Sequence, residues 1–131
     1  MLRNLVSQLC VELDLPEVPL VENKMTLQIG SVDVTLGELK PGLYLRAIIA
    51  PCPKMKREEL FLQLMKANYL GQGTGGSRIG LTPDERHLTL SLGLPYEVSY
   101  RTFRERFEDF INFTLFWKQE VEKFEHMERM L

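Results

Sequence analysis

"YLGQGTGGSRIGL", residues 69–81, places glycines at Gly71, Gly73 and Gly76, the G-x-G-x-x-G spacing that cradles a pyrophosphate in dinucleotide-binding folds. The direction in which secondary structure runs through this stretch decides the fold. Such glycines hold phosphate only where a strand enters them and a helix N-terminus leaves, because the amides of that first turn point at the anion. Here the order is reversed. The segment before Gly71, "KREELFLQLMKANYL" (56–70), reads as a helix, and the segment after Gly76, "SRIGLT" (77–82), reads as a strand leading into a turn at Thr82-Pro83-Asp84-Glu85. A helix running into glycines offers an anion its carbonyl end, which repels it. No G-K-[ST] follows, and nothing supplies the lysine and aspartate set of a kinase. The glycines are expected to cap the helix and connect it onward, with Gly73 and Gly76 at positive φ. No cofactor is expected.

Working toward the N-terminus, "GLYLRAIIA" (42–50) is a strand ended by the prolines of "PCP", which cannot donate to a ladder. Before it, Val32, Val34 and Leu36 alternate with Asp33 and Thr35, and Met25, Leu27 and Ile29 alternate with Thr26 and Gln28. Both segments read as strands with one wet face, joined by a tight turn at Gly30-Ser31, and the three strands form an antiparallel meander. Leu2, Leu5, Val6, Leu9, Cys10 and Leu13 fall at helical spacing and describe an amphipathic first helix, stopped at Leu15-Pro16.

Working toward the C-terminus, "HLTLSLGLP" (87–95) alternates Leu88, Leu90, Leu92 and Leu94 with small polar residues and pairs most simply with "RIGLT" across the Pro83 turn. Ser99 can cap a long last helix whose stripe runs Phe103, Phe107, Phe110, Thr114, Trp117, Val121 and Phe124. That stripe is expected to cover the sheet, since aromatic rings at helical spacing bury large areas. Its charged end, "KQEVEKFEHMERML" (118–131), reads as a solvated helix terminus. The fold class is therefore α+β: one domain over residues 1–131, in the order α-β-β-β-α-β-β-α, with a twisted antiparallel sheet covered by helices.

Composition narrows the function. The 131 residues carry a net charge of −2 and a pI near 5.7, so no excess of Lys and Arg is present to release counterions from nucleic acid. No apolar run reaches the ~20 residues a membrane span requires, and the N-terminus lacks the unbroken apolar region of a signal peptide. A cytoplasmic protein is expected. Cys10 and Cys52 form neither a C-x-x-C pair nor a metal set and read as reduced structural thiols. His126 follows Glu122 by one helical turn, but no third metal ligand accompanies them. The serines stand in no G-x-S-x-G elbow. No catalytic residue and no metal site are assigned, and the protein is not expected to be an enzyme.

The middle helix is apolar around most of its circumference, with Leu60, Phe61, Leu64 and Met65 on one stripe and Leu62 and Tyr69 off it. Such a helix is buried on more than one side. The second cover is either the rest of its own domain or another copy of the chain in an isologous contact; the reading favours dimerisation.

In size and order of elements the chain resembles the class I chaperones of bacterial type III secretion, the Tir-chaperone family. The residues that carry the likeness are "LFLQLMKANYLGQGTGG" (60–76), "RIGLTPDERHLTLSLGLP" (78–95) and "FRERFEDFINFTLFWKQEVE" (103–122), together with the acidic pI. The resemblance implies a small cytoplasmic homodimer without nucleotide hydrolysis. It further implies binding of an N-terminal segment of a secreted effector, in extended and partly unfolded form, and its delivery to the export apparatus, with the secretion ATPase or other apparatus proteins as further partners. By the same resemblance, Leu60, Phe61, Leu62, Met65, Tyr69 and Ile79 match a dimer interface, and the first helix and first three strands match an effector-binding surface. The candidates on that surface are Leu5, Val6, Leu27, Ile29, Val34 and Leu45; alternation shows which of them share a face, and not whether that face is wet. The competing reading is a cytosolic adaptor or scaffold subunit of the secretion machinery that delivers no client. An extended client has a physical route to either surface, since it can add its backbone to an open sheet edge and seat alternate side chains in apolar hollows.

Overall fold

Every segment of alternating apolar residues is a strand. In the computed structural model, which describes residues 1–71 and 73–130 and side chains through His126, the strands are β1 (Lys24–Ile29), β2 (Val32–Glu38), β3 (Leu43–Pro51), β4 (Arg78–Leu81) and β5 (His87–Leu94). They form one sheet in the order β1-β2-β3-β5-β4, with every pairing antiparallel. The register lines up Leu27, Val34, Ala47, Leu90 and Ile79 across all five strands. All five are buried. The neighbouring row, Thr26, Thr35, Arg46, Ser91 and Arg78, points to the other face. That face carries polar and charged side chains together with the exposed Ile48.

Three helices accompany the sheet: α1 (Leu2–Glu12), α2 (Arg57–Asn68) and α3 (Tyr100–Met130). Ser99 Oγ accepts the Thr102 N–H at 3.2 Å and starts α3, satisfying one of the donors that a helix leaves open at its first turn. The α3 stripe of Phe103, Phe107, Phe110, Thr114, Trp117 and Val121 is buried, and the helix lies across β3 and β2. Each fully buried phenylalanine ring contributes about 1.5–3 kcal/mol relative to exposure, so this stripe is a principal source of the fold's stability. Thr114, the polar member, returns its hydroxyl to the Phe110 carbonyl at 2.8 Å.

The first helix buries its apolar stripe of Leu2, Leu5, Val6, Leu9 and Cys10. It packs beside α3 and against β2, on the same side of the sheet. Glu12 at its end meets Arg104 at 2.7 Å and accepts the Tyr100 hydroxyl. Burial, and after it the Glu12 carboxylate, pushes the Tyr100 phenol up to about 12. Leu13 shares the apolar spacing but lies beyond the end of α1 and is exposed.

The glycine passage follows α2 through a short 3-10 turn, Tyr69–Gly71. Gly76 has φ +88, as expected, but Gly73 does not take positive φ. Gly73 is required for a different reason: a Cβ there would sit 2.9 Å from the Cα of Ala67. The close approach lets the Trp117 indole donate to the Gly73 carbonyl at 2.9 Å, which ties the end of α2 to α3. The amides of this loop are used within the chain, with Gly73 donating to Ala67, Thr74 and Gly76 to Gly71, and Ser77 to Thr74. Among the described residues, four amides of the loop are thus already spent within the chain.

Candidate functional site: an open sheet edge and an exposed helix face

A sheet that does not close into a barrel has two edges, each a row of backbone groups without partners. In this protein the two are treated differently. On the outer side of β4 lie Ser77, just before the strand, Ile79 and Leu81. Ser77 donates its N–H to the Thr74 carbonyl and accepts the Thr74 hydroxyl at its own carbonyl. Ile79 donates to Asn68 Oδ1 at 2.7 Å and accepts from Asn68 Nδ2 at 2.9 Å. The Asn68 amide, held by the last turn of α2, thus imitates one residue of a neighbouring strand. This edge is closed at Ser77 and Ile79, and among the described residues only Leu81 is left without a partner on its outer side.

Along β1 the outward residues are Lys24, Thr26 and Gln28. Lys24 exchanges both backbone hydrogen bonds with Val21 at 2.9 Å. Alternation along the strand then sends the N–H and C=O of Thr26 and Gln28 away from β2, and among the described residues neither has a backbone or side-chain partner there. Beside this edge is a hollow of about 510 Å³ walled by Arg3, Val6, Ser7 and Cys10 of α1, by Met25, and by Glu17, Val18 and Pro19. An extended chain laid on β1 would find four backbone groups to bond and, at one flank, a recess whose wall mixes Val6, Cys10, Val18 and Met25 with Arg3, Ser7 and Glu17. Burial raises the Cys10 thiol above its ordinary range, with the Glu17 carboxylate adding to the effect, and Cys52 is likewise raised chiefly by burial; neither is a nucleophile at neutral pH.

The residues that the sequence singled out for the client surface stand as follows. Leu5, Val6, Leu27, Val34 and Leu45 are buried in the core, and Ile29 is half-buried. As exposed side chains these five are corrected: Leu27, Val34 and Leu45 lie on the sheet face that the helices cover, and Leu5 and Val6 are the α1 side chains that help to cover it. Of them Val6 alone also lines the hollow beside β1. The features that sequence reasoning missed are backbone groups, at Thr26 and Gln28, and the side chain that closes the opposite edge, Asn68.

The second surface is on α2. Leu60, Leu64 and Ala67 face the core, whereas Leu62, Met65, Tyr69 and Leu70 are exposed, at 55%, 68%, 68% and 76%. Met55, just before the helix, is also exposed. Phe61, Leu64, Met65 and Asn68 form one wall of a groove of about 240 Å³ whose other wall is Ile79, Gly80, Leu81 and Leu88. Of the expected interface residues, Phe61, Met65 and Ile79 line this groove, Leu62 and Tyr69 stand on the open helix face, and Leu60 is withdrawn into the core. Exposed apolar side chains grouped in this way are the kind of surface from which interaction sites are built.

A helix–meander–helix–hairpin–helix chain with one sheet edge closed and one open defines a binding module, and the family agrees. The chain belongs to the Tir chaperone protein (CesT) family, whose model matches residues 4–118. No curated protein matches it. Among solved structures it is similar to a chain of the ExsC-ExsE complex, at 18% identity and a TM-score of 0.75, with 90% of this chain and 91% of that one covered. It is similar also to a chain of the HopA1-SchA chaperone-effector complex, at 13% identity and a TM-score of 0.68, covering 88% and 91%. A third is the Yersinia pestis type III secretion chaperone SycH in complex with a fragment of YscM2, at 15% identity and a TM-score of 0.65, covering 89% and 99%.

Proposed function

We propose that this chain is a type III secretion chaperone that binds the N-terminal segment of a secreted effector in extended, partly unfolded form and delivers it to the export apparatus. It works without catalysis, in the bacterial cytoplasm, as a homodimer joined through the exposed face of α2 and the groove beside β4. Family membership supports the chaperone role, as do the complexes in which the similar folds were solved. No helix among the described residues is long and apolar enough to cross a membrane. The observation that carries the reading is the difference between the edges: β4 is bonded within the chain at Ser77 and Ile79, through Thr74 and Asn68, while β1 offers Thr26 and Gln28 beside a hollow of mixed polar and apolar lining. A surface built this way recognises backbone and alternating side chains, which is what an extended client presents.

The test is co-purification of the tagged chain from its native cytosol. Recovery of a secreted protein whose N-terminal segment is sufficient for capture, and whose truncation abolishes it, supports the reading. Recovery of apparatus proteins alone, the secretion ATPase among them, replaces it with an adaptor that delivers no client.

A further inference from the structure

The segment between α1 and β1 contains a hairpin that begins and does not continue. Val21 and Lys24 are bonded in both directions, and the two residues between them, Glu22 and Asn23, have φ 52 and 62. Two successive positive φ values are the signature of a type I′ turn, the turn whose twist matches a pair of antiparallel strands. The chain before Val21 is therefore aimed back along the outer edge of β1. Its burial follows suit: Glu17, Pro19 and Val21 are exposed, while Val18 and Leu20 are half-buried against the core. That is the alternation of a strand whose inward residues share a face with Met25 and Leu27.

Continuing the register from Val21 and Lys24 would set Leu20 opposite Met25 and Pro19 opposite Thr26. The second is the position where the next two hydrogen bonds belong. Proline has no N–H to give the Thr26 carbonyl, and the ladder stops after one pair. The segment stays close because Val18 and Leu20 pack inward, yet it leaves Thr26 and Gln28 unpaired.

We propose that residues 17–21 are an incomplete sixth strand that guards the β1 edge and yields it to an extended partner, with Pro19 keeping the guard weak enough to be displaced. This rests on the reading of β1 as the client edge. It assigns to the segment a regulatory part: the guard and an incoming strand compete for the same backbone groups of Thr26 and Gln28. A complete strand at this place would seal the sheet, while an absent one would leave an aggregation-prone edge.

The experiment uses Pro19→Val in the full chain, a change at an exposed position, with Pro19→Ala as a milder version that also restores the N–H. Amide hydrogen exchange of the free protein is read first. The Thr26 amide and the new amide at position 19 are expected to gain protection of about tenfold, the worth of one net hydrogen bond. Binding is read next, by fluorescence anisotropy, with a labelled peptide of the chain's own β2 sequence, residues 31–38, as the extended probe. Pro19→Val is expected to weaken it by about the same factor. Val18→Asp with Leu20→Asp, which unpins the guard at half-buried positions, is expected to strengthen it. Unchanged exchange at Thr26 in Pro19→Val overturns the incomplete strand. Gained protection with unchanged peptide affinity overturns the competition, as does an absence of peptide binding by both the wild type and the unpinned variant. The exchange measurement needs no client, so failure of the chaperone reading, seen as no effector captured from the cytosol, is separately visible.

Discussion

Asn68→Ala tests the closed edge most directly. The substitution keeps a good helix former at the end of α2 and removes one side-chain amide that makes two hydrogen bonds, at 2.7 and 2.9 Å, to the backbone of Ile79. Each such bond is worth about 0.5–1.5 kcal/mol net, and more where the abandoned partner is shielded from water. Asn68 is only part-buried, so water can reach the freed Ile79 groups, and a total of about 2 kcal/mol is the reasoned figure. The unfolding entropy of a chain this size converts it to a fall in Tm of about 7 °C. Asn68→Asp divides the effect: the carboxylate still accepts the Ile79 N–H but now opposes the Ile79 carbonyl. Its loss should therefore match or exceed that of one bond, and it should ease when the carboxyl is protonated at low pH. Calorimetry gives the melting temperatures, and hydrogen exchange at Ile79 gives the local effect, with protection expected to drop in Asn68→Ala. If Asn68→Ala melts within 1–2 °C of the wild type and Ile79 keeps its protection, the edge is closed by something other than this amide, and the argument from asymmetric edges fails with it.

Other outcomes follow from the same structure. Leu62→Glu with Tyr69→Glu, both at exposed positions, should give a folded monomer by light scattering, since buried unpaired carboxylates are costly at an interface; a double variant that stays dimeric places the contact elsewhere. Gly73→Ala should destabilise by more than Gly76→Ala, because its Cβ meets the Ala67 backbone at 2.9 Å whereas Gly76 meets only the end of Arg106 at 3.3 Å. Gly76→Ala should still lose about 1–2 kcal/mol, from positive φ, and urea melts will order the two. Of the four tyrosines, one should ionise near pH 12 in an ultraviolet titration, and Tyr100→Phe should remove that step. Because its folded-state value is raised, the stability linked to Tyr100 is present below pH 10 and is lost as pH climbs from there toward 12. Cys10 and Cys52 should resist iodoacetamide at pH 8 in the folded protein and react once urea unfolds it.

Much of this fold is written locally. The Gly30-Ser31 turn, the prolines at the end of β3, the Ser99 cap and the period-two alternation of five strands each declare themselves within a few residues, and each is found where it was read. What alternation leaves out is which face is wet. Leu5, Val6, Leu27, Val34 and Leu45 were legible as apolar and as sharing faces; that α1 would lie beside α3 on one side of the sheet depends on helix placement across distant sequence, which no short pattern records. The edges were less legible still. Asn68 closes β4 across eleven residues of sequence, and the turn at Glu22-Asn23 contains no glycine to announce its positive φ. The glycine passage shows the opposite case, a recognised spacing whose meaning was set by its neighbours: Gly73 is demanded by a contact with Ala67 and not by its own torsion.

The unequal edges also set the stoichiometry of growth. Addition of strands to a sheet becomes polymerisation only when each unit both accepts a strand at one edge and presents another edge to the next unit, as in a heterologous contact that fails to close. With Ser77 and Ile79 already bonded within the chain, only Leu81 is left on the outer side of β4 for a next unit to read. A strand laid on β1 therefore meets a far edge too short to carry the series on. A sheet of this design would hold an extended chain in β geometry while offering a poor template for a fibre.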